Sequence, residues 1–227
     1  MPKKEGGASH LFIILGVAAL AAFLLYFSQS NKQKIIQETP KQTQEQTKEV
    51  IKDIPNPVNE FLNNNDIEEY ENAGMKIYTG NNPPNVEGLY RSDSLVILYD
   101  KPFEDAAPVG TKVSSYNHEF IDQKPDGTVK LLRKSPQGED IAAGVGGFIS
   151  GSNNCFSIFV NVKDQSNQCN TDEATIYSAC KGEEGLEQLQ AGFIVKENKG
   201  SGCGKTVPVG HLRIITEDDG LTELIKE

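Results

Sequence analysis

Cys155, Cys169, Cys180 and Cys203 are the residues whose type and number point most directly to chemistry. An even set of thiols in one stretch of chain suits two disulfides in an oxidising compartment, and three pairings are open if all four are bridged. Buried free thiols are the alternative. Separations of 14, 11 and 23 residues do not make the Cys-x-x-Cys knuckles of structural zinc. Lys199-Gly200-Ser201-Gly202-Cys203-Gly204-Lys205-Thr206 approximates a phosphate-binding loop, but Lys199 stands where the first glycine is needed. Residues 207–210 then read as the approach to a strand, whereas a phosphate loop must open a helix. A Gly-rich turn holding a disulfide cysteine is expected instead.

His118 and His211 are the histidines beyond the N-terminal tail. His118 and Glu119 on a strand point to opposite faces, so their adjacency does not make a catalytic pair. Gly147-Phe148-Ile149-Ser150-Gly151 lacks the Gly-x-Ser-x-Gly spacing of a nucleophile elbow, and its glycines suit sheet curvature. The acidic residues of 164–172 and Glu217-Asp218-Asp219-Gly220 lack the alternating oxygen ligands and final Glu of a calcium loop, and read as solvated turns. No catalytic residue, metal ligand or cofactor is expected.

Any chemistry must be positioned by a chain of 227 residues with 22 basic and 32 acidic side chains. From Ile54 onward the balance is 15 basic against 27 acidic. An acidic region of this kind does not suit nucleic acid or an anionic lipid surface as its main partner.

Residues 11–27, LFIILGVAALAAFLLYF, carry no charge or amide. As a helix they reach about 25 Å, and extension through Ser28 and Gln29 brings them near the roughly 30 Å hydrocarbon core. A helix apolar on every side needs a bilayer or surrounding protein, and the hydrophilic stretch beyond it supplies no such protein. A cleaved signal peptide is the rival reading, but Ala18, Ala19, Ala21 and Ala22 lie inside the apolar run and no small-x-small site follows Phe27. The expectation is a cytoplasmic tail over 1–10, a signal anchor in the bilayer over 11–29 and a flexible polar stalk over 30–54. An extracytoplasmic domain over 55–227 completes the chain. Lys3 and Lys4 favour a cytoplasmic N-terminus.

Val58, Phe61, Leu62, Ile67 and Tyr70 recur at near-helical spacing around Asn63 to Asn65, so a short helix or two turns should precede the β-structure. Leu95 to Tyr99 read as a strand covered on both faces. Residues 118–123 and 128–134 flank Lys124-Pro125-Asp126-Gly127, a hairpin turn in which Asp-Gly tolerates positive φ. Residues 146–151, 154–163, 174–180, 192–197 and 209–217 continue the pattern. Seven or eight antiparallel strands with short connections fit a meandering β-barrel of about eight strands, with a two-sheet sandwich as the alternative.

Residues 75–92, MKIYTGNNPPNVEGLYRS, with Glu119-Phe120-Ile121, Gly147-Phe148-Ile149-Ser150-Gly151 and Phe156-Ser157-Ile158-Phe159, resemble bacterial membrane-anchored envelope proteins with a lipocalin-like, or calycin-like, domain. In that group a Pro-Pro-x-x-x-Gly-x-Tyr segment leads into the first strand, which here falls on Pro83, Pro84, Gly88 and Tyr90. The chain has no Trp and so departs from the Gly-x-Trp motif of well-known lipocalins. The resemblance implies a noncatalytic, membrane-tethered lipocalin-like barrel. Its partner would be a small apolar or amphipathic ligand, or an envelope protein. A purely structural module and a hydrolase with an unrecognised site are the alternatives.

Overall fold

A computed structural model describes residues 56–136, 141–166, 169–201, 203 and 207–226. The expected anchor over 11–29 and stalk over 30–54 lie outside the described residues, among which no helix is long and apolar enough to cross a membrane.

The helical periodicity before the sheet resolves into two elements, a 3-10 turn at Asn56–Glu60 and helix α1 at Asn64–Asn72. The asparagines that interrupt the pattern separate them for a physical reason. Asn63 caps α1, its side chain accepting from the Asn65 and Asp66 amides while Asp66 accepts from the Asn63 amide at 2.9 Å. That reciprocal box satisfies amides a helix start leaves open.

Ten antiparallel strands follow among the described residues: β1 Gly88–Ser92, β2 Leu95–Asp100, β3 Tyr116–Ile121, β4 Thr128–Lys134, β5 Ile141–Ser152, β6 Cys155–Ser166, β7 Cys169–Lys181, β8 Gly185–Lys199, β9 Leu212–Glu217 and β10 Leu221–Leu224. Pairing runs β10-β1-β3-β4-β5-β6-β7-β8 and returns through β10–β8, a ring of eight hydrogen-bonded strands. The expected meander holds from β3 to β9 but fails at both ends. β1 pairs with β3 and β10, and β2 lies beyond β9.

β8 makes this topology by changing partner along its length. Gly185 to Glu187 pair with β10 and Gln190 to Ile194 pair with β9. Gln188, with φ 53°, marks the switch, and the facing β7 shifts register between Ser178 and Cys180. An irregularity of this kind bends a strand and re-aims the residues beyond it. The outer edge of β2 is covered by residues 111–113, through Ile97 N–H to Thr111 O and Val113 N–H to Leu95 O, both 2.9 Å, which hides backbone groups that would template aggregation.

Side-chain alternation sorts the apolar residues into two layers. Inside the ring, Tyr90, Phe120, Leu131, Phe156, Ile158, Val160 and Tyr177 pack in one cluster, and Leu95, Ile97 and Ile215 of β2 and β9 join it. On the opposite face Phe159, Ala174, Ile176, Ile194, Leu212 and Ile214 are covered by Val58, Leu62, Ile67, Tyr70 and Met75. Tyr70 is fully buried there and donates its hydroxyl to Ala174 O at 2.5 Å. Gly192 makes this fit possible: a Cβ on it would stand 2.7 Å from the Tyr70 ring and 2.8 Å from Met75 sulfur. Gly192→Ala should therefore destabilise the fold by about 1 to 3 kcal/mol, read as a lowered urea midpoint; an unchanged midpoint would mean that α1 is not held against the sheet.

The cysteines form Cys155–Cys180 and Cys169–Cys203, one of the three open pairings. Cys155 and Cys180 are register partners on β6 and β7, while Cys169 opens β7 and joins Cys203 beyond β8. They close stretches of 25 and 34 residues. Cys169→Ser/Cys203→Ser should cost about 3 kcal/mol by equilibrium unfolding, because the open chain regains entropy in the unfolded state.

Candidate functional site

An open cleft of about 640 Å³ lies between residues 80–83 on one wall and 123–127 on the other, with Phe148 and Ile149 of β5 as its floor. The first wall is strapped to the end of β5. Ser150 Oγ contacts Gly80 N at 3.0 Å and Gly80 O at 2.9 Å, Gly151 N–H donates to Gly80 O, and Asn82 N–H donates to Gly151 O. The second wall is the β3–β4 turn, closed by Gly127 N–H to Lys124 O and Lys124 N–H to Thr128 O.

Gly127, at φ 85°, lets the turn close and leaves room for Phe148, whose ring would collide with any Cβ added there. Gln123 braces the two walls, accepting from Val86 N–H at 2.8 Å and donating to Pro84 O at 2.9 Å. The Pro83, Pro84, Gly88, Tyr90 segment thus has a visible job. Pro83 lines the cleft, Pro84 carries the brace, Gly88 opens β1, and Tyr90 points into the ring with its hydroxyl on Val86 O.

The ring interior carries a buried charged cluster near the opposite end of β4. Arg133 hydrogen-bonds Asp164 through Nη2, lies 4.0 Å from Glu173 and stands over the Tyr116 ring at 5.1 Å. Burial opposes its charge, but the acidic groups of Tyr177, Glu173, Asp164 and Tyr116 outweigh that and hold its pKa above the ordinary arginine value. His118 lies beside it, 1% exposed, edge-on to Tyr177 at 5.5 Å. Neither His118 ring nitrogen has a hydrogen-bond partner among the described residues. Desolvation first and the Arg133 charge second push its pKa down to about 3, so the imidazole is neutral.

His211 belongs to a different constellation. Asp100 Oδ1 accepts from His211 Nε2 at 2.6 Å and from Arg213 Nε at 3.0 Å, while Oδ2 accepts from Arg213 Nη2 at 3.0 Å and Ala107 N–H at 2.7 Å. Burial opposes the charge, yet the hydrogen bonds from Arg213, His211 and Ala107 hold this carboxyl below its usual range. These contacts spend the carboxylate on tying the chain after β2 to β9. Asp100→Ala should cost about 2 to 3 kcal/mol in unfolding free energy through the unpaired partners it leaves, a loss that a chemical melt would read directly.

The remaining sequence candidates separate in space. Ser150 is buried and holds Gly80, so it is not an exposed nucleophile. Cys203 of the Gly-rich segment sits in a disulfide, while Gly202 and residues 204–206 lie outside the described residues. Asp219 caps Leu221 N–H in the β9–β10 turn and Asp164 serves Arg133; among the described residues no group of three metal-ligating side chains gathers.

Sequence patterns alone do not single out Arg133, Asp164, Glu173 and Tyr177 as a cluster. A signal exists on one strand, because Arg133 shares the inward parity of Val129 and Leu131 on β4. The cleft residues Asn81, Asn82 and Lys124 offer none, since polar residues at turns are ordinary. No protein family, curated protein or solved structure matches this chain.

Proposed function

We propose that this protein is a noncatalytic binding module, tethered to the cell membrane by residues 11–29 with its C-terminal domain extracytoplasmic. In this reading the eight-strand ring is a lipocalin-like barrel whose ligand engages the external cleft. The observation that carries it is the contrast between the two concave regions. Tyr90, Phe120, Phe156 and Tyr177 fill the interior, whereas the cleft is open and its walls are fixed by backbone hydrogen bonds. Fixed walls lower the ordering cost of binding, which is why ligand sites are commonly preformed.

Native mass spectrometry of the full chain in detergent micelles tests this. A co-purifying mass released on denaturation and absent from an Asn82→Arg variant is expected. An adduct that persists in Asn82→Arg but is lost in Ala142→Leu, which crowds the interior, would move the ligand inside the ring.

A second reading, contact with an envelope protein, rests on Val109 and Val209, 71% and 59% exposed. Each tips a Pro-Val-Gly turn closed from the residue after the glycine to the proline carbonyl, at 3.1 Å in both cases.

A further inference from the structure

The chemistry left unspent in the cleft narrows its ligand class. Asn81, Asn82 and Lys124 are exposed, line the cleft, and make no side-chain hydrogen bond within the described residues. Their other neighbours are committed. The Asp126 carboxylate accepts from Thr128 N–H at 2.9 Å and Thr128 Oγ1 at 2.7 Å, and Gln123 braces the walls. Two carboxamides, each offering donors and an acceptor, therefore share the cleft lining with a half-buried aromatic ring, Phe148, which packs beside Gly127 and against the outer core layer.

Backbone pairing excludes one common occupant. A peptide that binds by adding a strand needs a free row of N–H and C=O groups. Here Gly80 O, Asn82 N–H, Gly151 N–H and O, Gly127 N–H and O and Ile149 N–H are already paired. Charge excludes another: the acidic balance from Ile54 onward repels polyanions, and the Lys124 charge acts on the Asp126 and Asp122 carboxylates of the same turn.

Resting on the binding-module reading above, we propose that the cleft binds a neutral oligosaccharide. Vicinal hydroxyls pair with the Asn81 and Asn82 carboxamides, and the apolar C–H face of a sugar ring lies on Phe148. Lys124 supplies a further donor to a ring or hydroxyl oxygen. The fixed walls leave little to order on binding, so a few hydrogen bonds and one stacked face are enough for recognition.

The test uses the full chain in a polyoxyethylene detergent, which avoids the competing sugar of glycoside detergents. Maltotetraose and chitotetraose are titrated by calorimetry, and saturation transfer is read by NMR on the sugar protons. Saturable binding of at least one is expected, with ring C–H protons taking most of the saturation. Affinity should fall about tenfold or more in Asn81→Ala/Asn82→Ala, as expected for lost hydrogen bonds, while the melting midpoint stays unchanged. Phe148→Leu should weaken binding similarly.

Absence of saturable binding to both sugars, or binding indifferent to the asparagine variant, overturns the proposal. If both sugars fail while a co-purifying mass still depends on Asn81 and Asn82, the oligosaccharide class is wrong and the binding module stands. If a proline-rich peptide binds in that same variant-dependent way, the occupant is a peptide. A bound species indifferent to the variant places the ligand elsewhere and ends the oligosaccharide proposal alone, whereas a natural chain that carries no bound species of any kind makes both readings fail together.

Discussion

Arg133→Met is expected to lower the unfolding free energy by about 3 to 5 kcal/mol, the usual penalty for removing one partner from a buried ion cluster. The side chain lies on the inward face of β4 with its guanidinium on Asp164, near Glu173 and over Tyr116. Methionine fills much of the space but removes the guanidinium that Asp164 contacts and Glu173 faces in this poorly solvated interior. Carboxylates that keep their charge are what the lost guanidinium destabilises, so the variant's deficit should be larger at pH 7 than below the ordinary carboxylate range of about pH 4. Arg133→Met/Asp164→Asn/Glu173→Gln should recover most of the loss, because replacing a whole buried ion group is far cheaper than breaking it. Urea unfolding followed by far-ultraviolet circular dichroism at pH 7 and pH 4 decides it. A deficit below about 1 kcal/mol at pH 7 would mean that solvent already reaches the guanidinium.

Acid should weaken the fold through His118. Its folded pKa is depressed to about 3, against about 6.5 for an unperturbed histidine. The unfolded chain therefore binds a proton that the native state refuses across this interval. The stability this neutral histidine contributes is fully present above about pH 6.5 and is lost as pH falls towards 3, at up to about 1.4 kcal/mol per pH unit and on the order of 5 kcal/mol in all.

The groups facing it explain why it stays neutral: Tyr116 on its own strand, Arg133 from β4, and Tyr177 from β7, with Asp164 and Glu173 paired to the arginine behind it. Glu217 acts in the opposite sense. Burial raises its pKa, so its contribution is present in acid and lost as pH rises through its raised value. His118→Phe separates the two effects: it keeps an aromatic ring among Tyr116, Phe120 and Tyr177 and removes the proton site. Its unfolding free energy should not fall between pH 7 and 5, where the natural chain loses stability, because the raised Glu217 carboxyl that remains acts in the opposite sense. Parallel pH profiles for the two proteins would sink the assignment.

The β3–β4 hairpin is legible in the sequence because Lys124-Pro125-Asp126-Gly127 is a local instruction: a turn of that chemistry closes on its own backbone. The alternation in Phe156, Ile158, Val160 and Val162 is legible for the same reason, since a strand with one apolar face has one way to bury it. β10 is not. Leu221–Leu224 is four residues long and becomes a strand only because β1 and β8 stand on either side of it. The partner switch at Gln188 is equally invisible, for it needs β9 and β10 to compete for one edge. The cleft depends on the 80–83 segment meeting a turn some forty residues later in the chain, a meeting that no local pattern announces.

By itself the sequence determined the β-rich class, the hairpin, the short helical lead and an even set of cysteines, all consequences of period, turn chemistry and residue type. The tertiary structure alone decided which cysteines pair, that β1 skips β2 to reach β3, and that His118 and Arg133 share one desolvated interior while His211 goes to Asp100. The physical reason is that burial and charge neighbourhood are sums over chain segments remote in sequence, and those sums acquire their values only when the ring closes.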